Sequence, residues 1–167
     1  MGKRCYDFGM KKIIFAVLLL FFSASCLRQT ADVSPASLPG GNYNHRLNIA
    51  SKTLLVEIAN TPAAMQQGLS GRDAMQETQG MLFDFGTEKS SAPFWMKDME
   101  FDLDFIWIKN NRIIFITQNA PGPKPGTPDN QLTLYSPPEQ VDEVLEVNAG
   151  WVKKNNIAVG DVVSLQD

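Results

Sequence analysis

Between Asp98 and Phe105 polar and apolar side chains alternate without a break, Asp98, Glu100, Asp102 and Asp104 interleaving with Met99, Phe101, Leu103 and Phe105. A period of two sends the two sets to opposite faces of an extended chain, so the segment predicts a strand with one wet and one dry face. Ile106 to Ile108 continues it with both faces apolar, and Lys109-Asn110-Asn111-Arg112 separates it from Ile113 to Thr117. Two β-rich runs joined by so short a polar turn predict a hairpin. Lys52 to Ala59 is a further strand, with shorter ones at Gly80 to Phe85, Gln131 to Tyr135, Val144 to Val147 and Val162 to Leu165, and another starting within Pro93 to Met96. Thr61 and Pro62 have the form of an N-cap followed by proline at the first helical position. They open a helix in Ala63 to Met75 that Gly68 and Gly71 keep short, and a second short helix is expected between Ala149 and Gly160. Ala120 to Pro128 holds four prolines, which rule out a helix or a central strand there. Many short strands, proline and glycine turns and one or two short helices predict a compact, mainly β domain, an antiparallel sandwich or barrel.

A different pattern governs the first 26 residues. Lys11 and Lys12 precede an uninterrupted apolar run from Ile13 to Phe22, and the small residues Ser23, Ala24 and Ser25 lead into Cys26. Charge, short apolar run and small-residue exit make a secretory signal, too short to span a bilayer. Met10 is an alternative start. Tyr6 stands where a myristoylation signal needs Ser or Thr. The exit into Cys26 resembles a bacterial lipobox, apart from Ser23 in the usual leucine position, which makes Cys26 the expected lipid attachment site and the membrane the expected partner. Leu27 lacks the inner-membrane retention aspartate and so favours the outer membrane; without lipidation the product is a secreted protein. Residues 27–45, polar and broken by Pro35, Pro39 and Gly40-Gly41, read as a flexible tether. A single domain follows over residues 46–167.

Composition narrows the function by exclusion. The net charge is −3 and no basic cluster occurs, so nucleic acid is not an expected partner. The two cysteines are Cys5 and Cys26; export removes the first and lipid consumes the second. The mature domain is then without a disulfide, a thiol nucleophile or a thiolate metal site. His45, the single histidine, lies at the tether boundary, poorly placed for a triad or a metal. No phosphate-binding loop or zinc-hydrolase motif occurs, and no cofactor or metal is expected.

Candidate chemistry therefore rests on carboxylates and aromatics. The acids of the alternating strand could flank a glycosidic bond or bind a hard cation, or could simply keep an outer face wet beside Lys97 and Arg112. Asp104 stands where the pattern turns fully apolar, so its carboxylate is expected to be partly buried against a partner such as Arg72 or Lys97. Trp95 and Trp151 lie beside proline or glycine breaks, where an exposed ring can stack on a sugar or an apolar ligand. The methionines read as core filler.

In order along the chain, GLSGR, GMLFDF, FWMKDMEFDLDFIWI, a proline-rich connection, VLEVNAG and VGD resemble the DUF192 family of uncharacterised prokaryotic proteins. The resemblance runs from about residue 50 to the C-terminus. It implies a compact, mainly β domain, often behind an export signal, with no established activity. Its recurring polar positions fall on Arg72, Lys97, Asp98, Asp104 and Glu146, and its recurring non-ionic ones on Gly80, Trp95, Met96 and Gly150. Glu100 and Phe101 depart from it, standing where an apolar residue and a proline are more usual.

Three readings follow. The first is a non-enzymatic envelope module binding a small ligand, glycan or protein through a polar cluster of Arg72, Lys97, Asp98, Asp104 and Glu146. The second is a hydrolase or lyase acting on envelope carbohydrate, with Asp104 and Glu146 as acid and base. In the third, the charges are a buried network that fixes the fold, and function lies in contacts with another protein.

Overall fold

The computed structural model describes residues 41–166. The signal segment, Cys26 and most of the tether lie outside the described residues. The elements in chain order are β1 (His45–Ile49), β2 (Lys52–Ala59), α1 (Pro62–Gln67), β3 (Gln79–Asp84), β4 (Phe94–Trp95), β5 (Leu103–Lys109), β6 (Arg112–Ala120), β7 (Leu134–Tyr135), β8 (Glu143–Asn148), α2 (Trp151–Asn155) and β9 (Val163–Gln166), with a 3-10 turn at Asp129–Gln131. Seven strands form one sheet in the order β6-β5-β8-β3-β2-β1-β9, and β4 pairs with β7 in a separate ribbon. The fold is mainly β, as expected, with two short helices. All strand pairs are antiparallel except β2–β3, which α1 joins as a parallel crossover.

The sheet curls until its two ends meet. Arg112 at the start of β6 bridges Val162, and Val163 N–H donates to the Asn111 carbonyl at 2.9 Å. One face is thereby enclosed. Leu47, Val56, Leu82, Leu145, Ile106, Ile113 and Val163, one from each strand, meet there, and Trp151 and Val152 of α2 pack among them. The other face of β3, β5 and β8 carries a second core around Phe83, Phe105, Trp107 and Val144. The β4–β7 ribbon covers it by inserting Phe94, 4.8 Å from Phe83 and 5.5 Å from Trp107 between ring centres, and Tyr135, 5.3 Å from Phe105. The paired Trp95 and Leu134 point the other way and are exposed.

Several expectations hold in detail. Thr61 Oγ1 accepts the Ala64 N–H at 3.2 Å and caps α1 behind Pro62. Asn110 and Asn111, at φ 50° and 58°, form the left-handed two-residue turn of the β5–β6 hairpin. Three readings are corrected. His45 opens β1, paired with Val56, so the domain starts earlier than the expected tether boundary. Only Leu134–Tyr135 is a strand within Gln131 to Tyr135.

The third correction concerns Asp98 to Asp102, which is not a strand. Asp98 takes φ 54°, and Met99 N–H turns back to the Met96 carbonyl at 3.3 Å. The segment bonds to loops instead of a sheet: Gly71 N–H donates to the Asp98 carbonyl at 2.7 Å, and Gly122 N–H to Asp102 Oδ1 at 2.8 Å. Alternation of burial survives without a ladder, since Met99 is buried while Glu100 and Asp102 are exposed.

Where β3 meets β8 there is no room for a side chain. A Cβ on Gly80 would lie 2.9 Å from the Glu146 carbonyl oxygen and 3.1 Å from Leu145 Cδ1. Gly80→Ala is expected to lower stability by about 2 kcal/mol, the range for overpacking a tight core, measured as a reduced urea midpoint with an unchanged slope.

Candidate functional site

α1 and the turn after it stand on one side of a cleft, and residues 90–99 on the other. The two banks join at one end, where Ser70 Oγ donates to the Lys97 carbonyl at 2.8 Å. Between them lies a cavity of about 370 Å³ lined by Met65, Leu69, Phe83, Phe85, Phe94, Trp95 and Met99 among others, with Glu146. That volume lies within the range of small-ligand sites. Hollows of 350 Å³ beside Tyr135 and 500 Å³ beside Asp84 also exist, and neither contains a buried acid.

Register puts Glu146 in the wall. It pairs with Met81 on β3 and Phe105 on β5, and Met81 pairs in turn with Glu57 on β2. Paired residues share a face, so Glu57 and Glu146 flank Met81, two strands and about 10 Å apart. Arg72 serves the first of them: it donates to Glu57 Oε2 at 2.9 Å and to the Tyr43 hydroxyl at 2.8 Å. Glu146 is 5 % exposed, and among the described residues no hydrogen bond reaches its carboxyl group. No fully enclosed polar side-chain atom of the described residues lacks a partner. The unpartnered oxygens of Glu146 therefore keep a window onto the cavity. Burial pushes this carboxyl up to about 8, against the smaller opposing field of Arg72, so it is largely a neutral acid at pH 7.

The five charges expected to cluster do not form one group: Arg72 acts on Glu146, and Lys97 separately feels Asp98. Lys97 pairs with exposed Asp129 and lies 5.6 Å over the Trp95 ring. The Asp98 side chain is exposed on its turn. Asp104 pairs with Val147, the residue next to Glu146, so the two carboxyl groups project from opposite faces of the sheet. An acid–base pair of Asp104 and Glu146 is therefore not assembled.

Asp104 is wholly buried, as its position suggested, but its partners are backbone amides in place of Arg72 or Lys97. Oδ1 accepts from Asn119 at 2.8 Å and Oδ2 from Val152 at 3.0 Å. Trp151 is buried in the enclosed core, away from any ligand, whereas Trp95, 46 % exposed, stands at the cavity mouth. Among the described residues no group of three His, Cys, Asp or Glu side chains could hold a metal, and no helix is long and apolar enough to cross a membrane.

Sequence reasoning missed Glu57 and Tyr43 as the partners of Arg72, and Phe83, Phe85 and Phe94 as cavity wall. A lone acid inside the apolar run VLEV was the available sign that Glu146 is special.

None of the curated proteins compared with the chain matches it. Two solved structures are similar. A candidate transcription regulator from Sinorhizobium meliloti 1021 is 32% identical, with a TM-score of 0.65 over 72% of this chain and 92% of that one. A protein of unknown function from Novosphingobium aromaticivorans DSM 12444 is 25% identical, with a TM-score of 0.63 over 71% and 83%. The family model DUF192, an uncharacterized ACR, matches residues 43–165. The chain therefore belongs to the DUF192 family.

Proposed function

We propose that this chain is an exported, lipid-anchored binding module that takes a small, largely apolar ligand into the Glu146 cavity. The observation that carries the reading is an unpartnered, buried carboxyl group on the wall of a cavity otherwise built from aromatic and methionine side chains. A carboxyl group with no protein partner that faces a cavity keeps hydrogen-bonding capacity that an occupant of the cavity can meet. The signal pattern of residues 11–26 and the lipobox-like exit into Cys26 support placement at the envelope. A carboxylate-pair hydrolase is disfavoured by the register that separates Asp104 from Glu146.

Titration with prodan, a neutral naphthalene fluorophore, tests the binding reading. A saturable blue shift with a micromolar Kd is expected. Ala92 lines the cavity from an exposed position, so Ala92→Trp is expected to block entry without unfolding the protein and to weaken binding at least tenfold. Unsaturable binding, or affinity indifferent to Ala92→Trp, would remove the cavity from consideration. Export and anchoring are tested by palmitate labelling of the full chain, which is expected to be lost in Cys26→Ala.

A further inference from the structure

We infer that the ligand of this cavity is an organic amine, an apolar body carrying a protonated nitrogen that meets the Glu146 carboxylate on the wall. The inference rests on the reading of the cavity as a binding site and adds the chemistry of its occupant. No lysine, arginine or histidine lines the cavity. Two of its donors are committed elsewhere: Gln67 Nε2 donates to the Ser70 carbonyl at 2.9 Å, and Ser70 Oγ to the Lys97 carbonyl at 2.8 Å. Ser90 Oγ accepts the Ala92 N–H at 3.1 Å and keeps its own proton to donate, and the Gln66 amide and Trp95 indole also line the cavity. Beside those polar groups the wall offers a ligand the aromatic rings of Phe83, Phe85, Phe94 and Trp95 and the carboxyl group of Glu146. Aromatic rings and a carboxylate form the combination that recognises alkylammonium groups.

A cation also answers the charge problem. Arg72 is the one group whose field is felt at Glu146, and it is committed to Glu57 and Tyr43. From β3 and β5 the residues paired with Glu146 are Met81 and Phe105, which carry no charge. Glu143, on the same strand, projects from the opposite face. An ammonium ion would be the counter-charge that no described side chain supplies. The step balances as R–NH3⁺ plus the Glu146 carboxylic acid giving an ammonium–carboxylate pair and one proton released to buffer. Tyr43, raised by its burial, and Arg72, which burial lowers but its contacts with Glu57 and Tyr43 together raise, hold their protons while this occurs.

Calorimetry with three probes of one shape tests this: 4-phenylbutylamine, neutral 4-phenylbutan-1-ol and anionic 4-phenylbutyrate. At pH 8.0 the amine is expected to bind at least tenfold more tightly than the alcohol, and the butyrate most weakly. Amine affinity should fall at least tenfold between pH 8.0 and 6.0, and heats measured in buffers of different ionisation enthalpy should report proton release. Glu146→Gln is expected to erase the preference for the amine over the alcohol, together with the proton release that accompanies amine binding. If prodan binds but the amine binds no better than the alcohol, or not at all, the amine inference is overturned and the cavity reading stands. If neither prodan nor any phenyl probe binds, both fall together.

Discussion

Glu146→Gln is expected to stabilise the protein, increasingly so as the pH rises. The carboxyl titrates at about 8 in the fold against 4.5 as a reference, because burial penalises its charged form. The native state therefore holds a proton that the unfolded chain has released across this window. Stability falls wherever the native state binds more protons, so it is full below pH 4.5 and is lost progressively up to about pH 8. The slope approaches about 1.4 kcal/mol per pH unit, and the loss is on the order of 4–5 kcal/mol by pH 8.5. Glutamine keeps the shape of the neutral acid and cannot ionise. At pH 4.5 the variant and the wild type should melt within a few degrees of one another. At pH 8.5 the variant should melt roughly 15 °C higher, given the usual conversion for a domain of this size. Glu143, raised by its own burial, and Asp142, lowered chiefly by the Asn110 amide, add pH dependence of their own. Both are present in both proteins and drop out of the difference. A difference in melting temperature that is flat from pH 4.5 to 8.5 would show that Glu146 titrates normally.

The strands and turns of this fold are legible where local chemistry decides them. The Asn110-Asn111 turn, the Thr61 cap with Pro62 and the extent of β2 all follow from residues adjacent in the chain. Asp98 to Asp102 misleads because alternating burial is a demand of any chain lying across a core. A covering segment that takes its hydrogen bonds from Gly71, Gly122 and Ala149 meets that demand as well as a strand does. The site was legible residue by residue but not as an arrangement. Which face a strand residue occupies is set by its register with distant strands, so Asp104 and Glu146 could be singled out while their separation could not. The same limit hid Glu57: only the parallel β2–β3 register places it beside Met81 and within reach of Arg72. That register depends on the crossover through α1: Thr61 and Pro62 signal the helix, but nothing adjacent in the chain fixes which residues of β2 and β3 it brings opposite one another.

Asp104→Ala is expected to be among the most damaging single changes in the domain. β6 carries an extra residue opposite Asp104, and Asn119 at φ 55° turns its N–H out of the ladder. On the other side α2 begins at Gly150, whose left-handed φ of 81° suits glycine and whose missing side chain leaves the helix without a cap of its own. Asp104 repairs both defects, one oxygen on the bulge amide and the other on the second amide of α2. Alanine would leave the buried Val152 N–H and the part-buried Asn119 N–H unpaired and a cavity between them, for a loss of about 2–4 kcal/mol. Asp104→Asn is no rescue, because an amide can turn only one acceptor toward two donors and faces the other with its own N–H. It should recover less than half of the loss. Urea denaturation followed by tryptophan emission checks both variants, since Trp151 on α2 is buried against the enclosed core. Amide hydrogen exchange should locate the damage: protection lost first at Asn119, Val152 and along α2, with β2 and β3 retained. Uniform loss across the sheet, or a destabilisation under 1 kcal/mol, would mean that bulge and helix are held by packing and that the carboxylate is incidental.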